Sequence, residues 1–212
     1  MSAVIDLATR RKVAPISENG KVQPPRRRKN KESRSREHLT PSEVAALIQA
    51  ARSSGRYGQR DSTLIEIMYR HGLRVSEAIA LRWEQLELKQ GLLHVTRLKH
   101  GTPSTHPLRG PELRALRALQ ADWGQSPYVF CSERGGPMTA SNVRKLVARL
   151  GVAAKIPFPV HPHQLRHALG YKLAAEGQDT RAIQLYLGHK SITHTAHYTA
   201  LSPERFKSFF KD

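Results

Sequence analysis

His161-Pro162-His163-Gln164-Leu165-Arg166-His167 opens the decisive stretch of the chain, which continues through Leu187-Gly188-His189 to His194, His197 and Tyr198. Its spacing predicts three consecutive helices, Pro162 to Glu176, Thr180 to Leu187 and Ser191 to Tyr198. Several chemistries compete for the histidines. His163 and His167 stand four apart and share a helix face, the spacing of a zincin site. A zinc protease, however, needs a Glu directly after the first His as general base. That position holds Gln164, and Arg166 would place a fixed cation beside the ion. No metal site is therefore assigned. A phosphate reading uses more of the residues, because His163 and Arg166, three apart, point from one side of a helix and the Arg fork grips a phosphate in two places.

A second anion-directed group lies upstream in Gly72-Leu73-Arg74-Val75-Ser76-Glu77. Arg74 begins a short helix whose free backbone N–H groups also favour an anion. Glu77, one turn on, would hold Arg74 in a fixed rotamer. Taken singly, such a pair is an ordinary surface ion pair; its combination with the downstream cluster carries the argument.

Around these motifs the chain reads as a mixed α/β, mainly helical domain with a small antiparallel β-sheet. Thr40-Pro41-Ser42-Glu43 joins an N-cap, a proline at the first helical position and a capping-box Glu. Further helices are expected at Asp61 to His71, Val75 to Leu81, Pro111 to Trp123 and Ala140 to Leu150. Between them the period changes to short strands at Leu86 to Leu88, Leu92 to Leu98 and Ser104 to Leu108, with a turn at Lys99 to Thr102. A last helix is expected over Pro203 to Lys211, with Phe206, Phe209 and Phe210 on one face. That face would dock on its own domain or on a neighbouring protomer.

The charge points the same way. Of 212 residues, 35 are Lys or Arg and 17 Asp or Glu, a net +18. Residues 1 to 38 hold 11 and 4 of these, net +7, leaving 24 and 13, net +11, for residues 39 to 212. The first segment, with Pro15, Pro24, Pro25 and the run Arg26-Arg27-Arg28-Lys29-Asn30-Lys31, reads as a basic disordered arm suited to DNA backbone. The single Cys131 rules out an intramolecular disulfide and any Cys-based zinc knuckle. No apolar run approaches the ~20 residues of a membrane span. A soluble, cytoplasmic and nucleoid-associated protein with no membrane partner is expected.

The motifs in this order resemble the tyrosine recombinase (phage integrase) family: Gly72-Leu73-Arg74-Val75-Ser76-Glu77, a hairpin Lys99 in Leu98-Lys99-His100-Gly101-Thr102, His163-Gln164-Leu165-Arg166-His167, Leu187-Gly188-His189, and Tyr198 nine residues after that His. The likeness covers nearly all of 39 to 212. It is greatest to the short fimbrial phase-switch invertases, through Arg97-Leu98-Lys99, Ser104-Thr105-His106-Pro107-Leu108 and the stretch from His161 to Ala200. Like them, the chain is expected to lack the family's N-terminal helical core-binding domain.

The resemblance implies a site-specific recombinase acting without metal, ATP or other cofactor. Tyr198 would attack the scissile phosphate to give a 3′-phosphotyrosyl enzyme and a free 5′-hydroxyl. Arg74, Arg166 and His189 would hold the non-bridging oxygens, Lys99 would protonate the leaving 5′-oxygen, and His163 would assist proton transfer at Tyr198 or phosphate binding. Glu77 and His167 are supporting neighbours. Tyr171 and Tyr186 read as packing. The implied partners are double-stranded DNA with short inverted-repeat sites, a homotetramer on DNA that is a monomer or weak oligomer off it, and accessory DNA-bending proteins. Two alternatives stay open at this point: a DNA-binding regulatory protein of the same fold, and nick-and-reseal activity like that of type IB topoisomerases.

Overall fold

The computed structural model describes residues 38–97 and 101–200, all within one contact-linked unit, Glu37–Asp212. The basic segment before residue 38, Lys99 and the expected 203–211 helix lie outside the described residues. Helix α1 (Pro41–Arg52) begins at the expected capping box. The Thr40 hydroxyl accepts from the Glu43 amide at 3.3 Å, and the Glu43 carboxylate accepts from the Thr40 amide at 2.8 Å. Two amides that a helix start leaves orphaned are thereby satisfied.

Helix α2 (Gly58–Arg70) starts three residues earlier than the expected Asp61. A 3₁₀ turn, Gly55–Tyr57, feeds directly into it. Arg60 folds back on Asp61 with bonds of 2.9 and 2.7 Å and donates to the Cys131 carbonyl at 2.8 Å. Polar side chains paired in this way can be buried, so a first turn with the composition of a loop lies inside the domain. Further along, Leu64, Ile65, Ile67 and Met68 are all at most 1% exposed. α2 is the central helix, packed against α1, α4 (Gly110–Trp123) and α6 (His163–Ala175).

Between α2 and α4 come the short α3 (Val75–Ile79) and three strands, β1 (Leu86–Glu87), β2 (Leu92–Val95) and β3 (Ser104–Pro107). They form an antiparallel sheet in the order β1-β2-β3, with Leu86 opposite Leu93, and Leu93 opposite His106. The period of two turns Leu93, Val95 and His106 inward. β2 stops at Val95, short of the expected Leu98, and Arg97 leaves the ladder to send its side chain into the interior. Helix α5 (Ala140–Ala153) adds Val143, Val147 and Leu150 to the main core. After α6 follow α7 (Thr180–Leu187) and α8 (Thr193–Thr199), which with α6 close a smaller cluster of Leu169, Ala174, Ile183, Leu187 and Tyr198. Among the described residues no helix is long and apolar enough to cross a membrane.

A buried polar chain ties the sheet to the helices. Ser104 Oγ lies 2.8 Å from His106 Nε2, His106 Nδ1 lies 3.1 Å from His71 Nδ1, and His71 Nε2 lies 2.8 Å from Glu112 Oε1. Burial alone would raise the Glu112 carboxyl, but the His71 bond and charge, the Arg109 amide and Arg70 outweigh it and leave it below the ordinary range. An ionised Glu112 makes His71 Nε2 the donor, and the chain runs on through the two facing Nδ1 atoms and His106 Nε2 to Ser104, so every polar group along it has a partner.

This chain sets an acid limit on stability. Burial, with the neighbouring His71 and Arg97, pushes His106 down to about 3. A depressed histidine contributes stability that is complete above the unfolded value near 6.5 and is lost as pH falls toward the folded value. By linkage, His106 should withdraw about 2 kcal/mol between pH 7 and pH 5. Urea denaturation at the two pH values should show the loss, and a folded His106→Gln variant should show a correspondingly shallower dependence. Equal slopes in the two proteins would refute it.

Candidate active site

Four segments converge on the site: the α2–α3 loop, the start of α6, the end of α7 and α8. Arg74 sits at the N-cap of α3 and donates through Nη1 to Glu77 Oε1 at 2.8 Å, while its backbone amide donates to Glu77 Oε2 at 2.9 Å. The expected Arg74–Glu77 pairing is therefore present. It is more than a surface pair, because Glu77 is buried and its Oε2 also accepts from Arg97 Nη1 at 2.9 Å. Burial alone would raise the Glu77 carboxyl, but hydrogen bonds from Arg74 and the charges of Arg97 and Arg74 outweigh it and keep it below the usual carboxylate range.

Arg166, one turn into α6, is 1% exposed and bridges two backbone carbonyls, Gly72 O at 2.5 Å and Leu187 O at 2.6 Å. Those carbonyls lie two residues before Arg74 and two before His189. One guanidinium thereby fixes both approaches to the site. Gly72 and Gly188 make the geometry possible. Both have positive φ, +58° and +66°, where a Cβ is disfavoured. Gly188 ends α7 in the left-handed conformation, the usual helix stop, and turns His189 out of the helix.

His189 Nδ1 then lies 2.8 Å from Thr195 Oγ1 on α8. Burial, followed by the charges of Arg166 and Arg74, lowers His189 to about 3, so the ring is neutral at physiological pH. With the Thr195 hydroxyl donating to Nδ1, the proton resides on Nε2, which becomes a neutral donor. His163 is lowered by burial and by the same two arginines. Burial, then Arg74 and Arg97, lowers Arg166 to about 9, still protonated at neutral pH. Three guanidinium groups around one carboxylate leave uncompensated positive charge, which favours an anion.

Tyr198 is 3% exposed, and its hydroxyl lies 2.9 Å from His167 Nδ1. Its ring stacks near His189 at 6.2 Å and meets Tyr171 edge-on at 5.2 Å. On its other side a Cβ at Gly170 would fall 2.6 Å from the ring, so the tyrosine lies directly on the α6 backbone. Burial raises Tyr198 to about 12 against the opposing pull of Arg166. Burial and the His163 charge lower its partner His167 to about 4. His163 and His167 meet edge-on at 4.5 Å. Among the described residues no group of three or more His, Cys, Asp or Glu could hold a metal ion.

Arg74, His163, Arg166, His189 and Tyr198 are thus brought together, with Glu77 and His167 in direct contact with members of the set. Lys99 and the basic run from Arg26 to Lys31 fall outside the described residues. Two residues to which the sequence reading gave no role join the set, Arg97 on Glu77 and Thr195 on His189. The signals were faint: Arg97 stands two residues before Lys99, and Thr195 is one polar residue in a polar helix.

Fold and residue set together define a tyrosine-type recombinase catalytic domain. The chain belongs to the phage integrase family, whose model matches residues 37–205. It is 40% identical over 182 residues to the type 1 fimbriae regulatory protein FimE of Escherichia coli K12, covering 83% of this chain and 91% of that one. It is 35% identical over 178 residues to the tyrosine recombinase XerD of Ralstonia nicotianae, covering 80% of this chain and 58% of that one. The crystal structure of XerA recombinase superposes with a TM-score of 0.70 at 26% identity, covering 81% of this chain and 63% of that chain. The chain therefore spans less than two thirds of the solved recombinase and of the longer curated relative.

Proposed function

We propose that the chain is a site-specific DNA recombinase that cuts and rejoins strands through a 3′-phosphotyrosyl intermediate, with no metal and no ATP. The single observation that carries this is Arg166, a buried cation joining the Arg74 loop to the His189 turn beside a buried tyrosine. The Tyr198 oxygen attacks phosphorus, the P–O5′ bond breaks, and Lys99 supplies the proton to the leaving 5′-oxygen. The phosphodiester energy is stored in the new bond, so rejoining needs only a 5′-hydroxyl. Arg74, Arg166 and the neutral His189 donor hold the non-bridging oxygens as charge builds on them. In the resting geometry the Tyr198 hydroxyl faces His167, with His163 next in line, and His163 assists proton transfer once the tyrosine has moved onto the phosphate. At 3% exposure Tyr198 reaches a phosphate only after α8 shifts from its slot.

The substrate is double-stranded DNA with short inverted-repeat sites, bound by four copies of the chain, with accessory DNA-bending proteins as further partners. Likeness to a fimbriae regulatory protein supports inversion, or integration and excision, of a phase-variable or mobile element. Arg26, Arg27, Arg28, Lys29 and Lys31 bind the DNA backbone by counterion release, and residues 203–211 carry contacts between protomers. The expected site of action is the cytoplasm, at the nucleoid.

The test is a nicked suicide duplex carrying an inverted repeat from the DNA flanking the coding sequence. Wild-type protein should accumulate a covalent adduct and release a 5′-hydroxyl strand, at the same rate in excess EDTA. Folded protein giving no adduct, or EDTA abolishing it, would overturn the mechanism.

A further inference from the structure

Arg97 is a second buried arginine beside the site, and electrostatics alone gives no reason for it. Its side chain is 0% exposed, and Arg74 already neutralises Glu77. A second cation there is costly to desolvate, and where stability alone mattered an apolar or neutral side chain would do as well. Burial and the like charge of Arg74 both press Arg97 below the usual arginine range, with Glu77 opposing. The geometry is equally constrained. Nη1 donates to Glu77 Oε2 at 2.9 Å, and Nη2 donates to the Tyr186 carbonyl at 2.5 Å and, more loosely, to the His71 carbonyl at 3.4 Å. A Cβ at Gly188 would fall 2.7 Å from Arg97 Nε, and one at Gly101 would fall 2.7 Å from Arg97 Cβ. The Arg97 side chain is thus framed by two glycines, Gly101 at its base and Gly188, the residue just before His189, at the guanidinium end.

We infer that Arg97 is a positioning residue for phosphoryl transfer, which fixes the carboxylate that aims Arg74 and ties it to the helix end that presents His189. This rests on the recombinase reading. Glu77 gives Oε1 to the Arg74 side chain and Oε2 to Arg97, so any swing of the carboxylate toward one arginine is resisted by the other. The Tyr186 carbonyl lies three residues before His189 in the same helix end. Arg97 therefore holds the two oxygen-binding groups in register from behind, without touching the phosphate itself. The excess buried charge is offset when the DNA phosphate arrives.

The test compares wild type, Arg97→Lys, Arg97→Met and Arg74→Lys on two suicide duplexes. One has an ordinary scissile phosphate; in the other a methylphosphonate replaces it, so one charged oxygen is lost and the arginines have less to neutralise. On phosphate, both Arg97 variants should form adduct about 10²-fold more slowly than wild type, the scale of a misplacement near 1 Å, with DNA affinity within about 3-fold. On methylphosphonate their deficit relative to wild type should shrink to under about 5-fold, as it should for Arg74→Lys. A merely structural role would slow both substrates equally. Equal deficits on the two substrates, or wild-type rates on phosphate, would overturn the proposal. If Arg97→Met fails to fold, Arg97→Lys decides alone: it keeps the charge but cannot bridge Glu77 and the Tyr186 carbonyl together. Wild-type protein giving no adduct on either duplex would instead sink the recombinase reading, and this proposal with it.

Discussion

Tyr198→Phe abolishes covalent adduct formation on the suicide duplex while fold and DNA binding persist. Phenylalanine fits the same slot, because the ring contacts to Gly170, Tyr171 and His189 do not involve the hydroxyl. Only the 2.9 Å contact with His167 is lost, which should lower stability by about 1 kcal/mol. Chemistry, by contrast, loses its nucleophile outright, and the rate should fall by at least ~10⁴-fold, to the limit of detection. The other nearby tyrosines cannot replace it. The Tyr186 hydroxyl donates to the Arg70 carbonyl at 2.9 Å, its ring stacks on His106, and burial holds it at about 12. The Tyr171 hydroxyl lies 2.9 Å from His197 Nε2. Tyr171→Phe and Tyr186→Phe should therefore still form adduct. Denaturing gels and thermal melts on the three variants give the answer, and an adduct surviving in Tyr198→Phe would place the nucleophile elsewhere.

Those elements of the site that depend on local spacing were legible in the sequence. His163 and Arg166 share a face because a helix repeats every 3.6 residues, and Glu77 reaches Arg74 because i and i+3 are neighbours. The helix expected over Thr180 to Leu187 has those bounds in the structure. Pairings between distant segments were not legible, since no local rule fixes which elements meet. Arg97 finds Glu77 across 20 residues and Tyr186 across 89. His71, His106 and Glu112 assemble from the C-terminal cap of α2, from β3 and from α4, and as isolated residues each reads as an ordinary surface group. The same blindness explains the start of α2: Gly58 to Arg60 look like loop until Cys131, 71 residues on from Arg60, supplies a carbonyl. Nor could spacing show that the Tyr198 hydroxyl faces His167 at rest rather than His163.

Arg166→Lys should slow adduct formation by ~10³-fold, near the upper end for loss of one preorganised donor. The size of the effect follows from its two carbonyl partners. A lysine keeps a positive charge but offers a point donor on a flexible stem, so it cannot hold Gly72 O and Leu187 O at once. The released carbonyl stays buried, at a cost of about 1 to 3 kcal/mol. Positions also change: Gly72 leads into Arg74 and Leu187 into His189, so both remaining oxygen-binding groups lose their anchor. A cumulative loss is then not expected on combination. Arg166→Lys with His189→Gln should be little slower than Arg166→Lys alone, because the first change already displaces what the second removes. Single-turnover cleavage at saturating protein, with affinity measured separately on intact duplex, isolates the chemical step. An Arg166→Lys rate within tenfold of wild type, or strict additivity with His189→Gln, would mean that Arg166 acts on the phosphate alone and leaves the two loops independent.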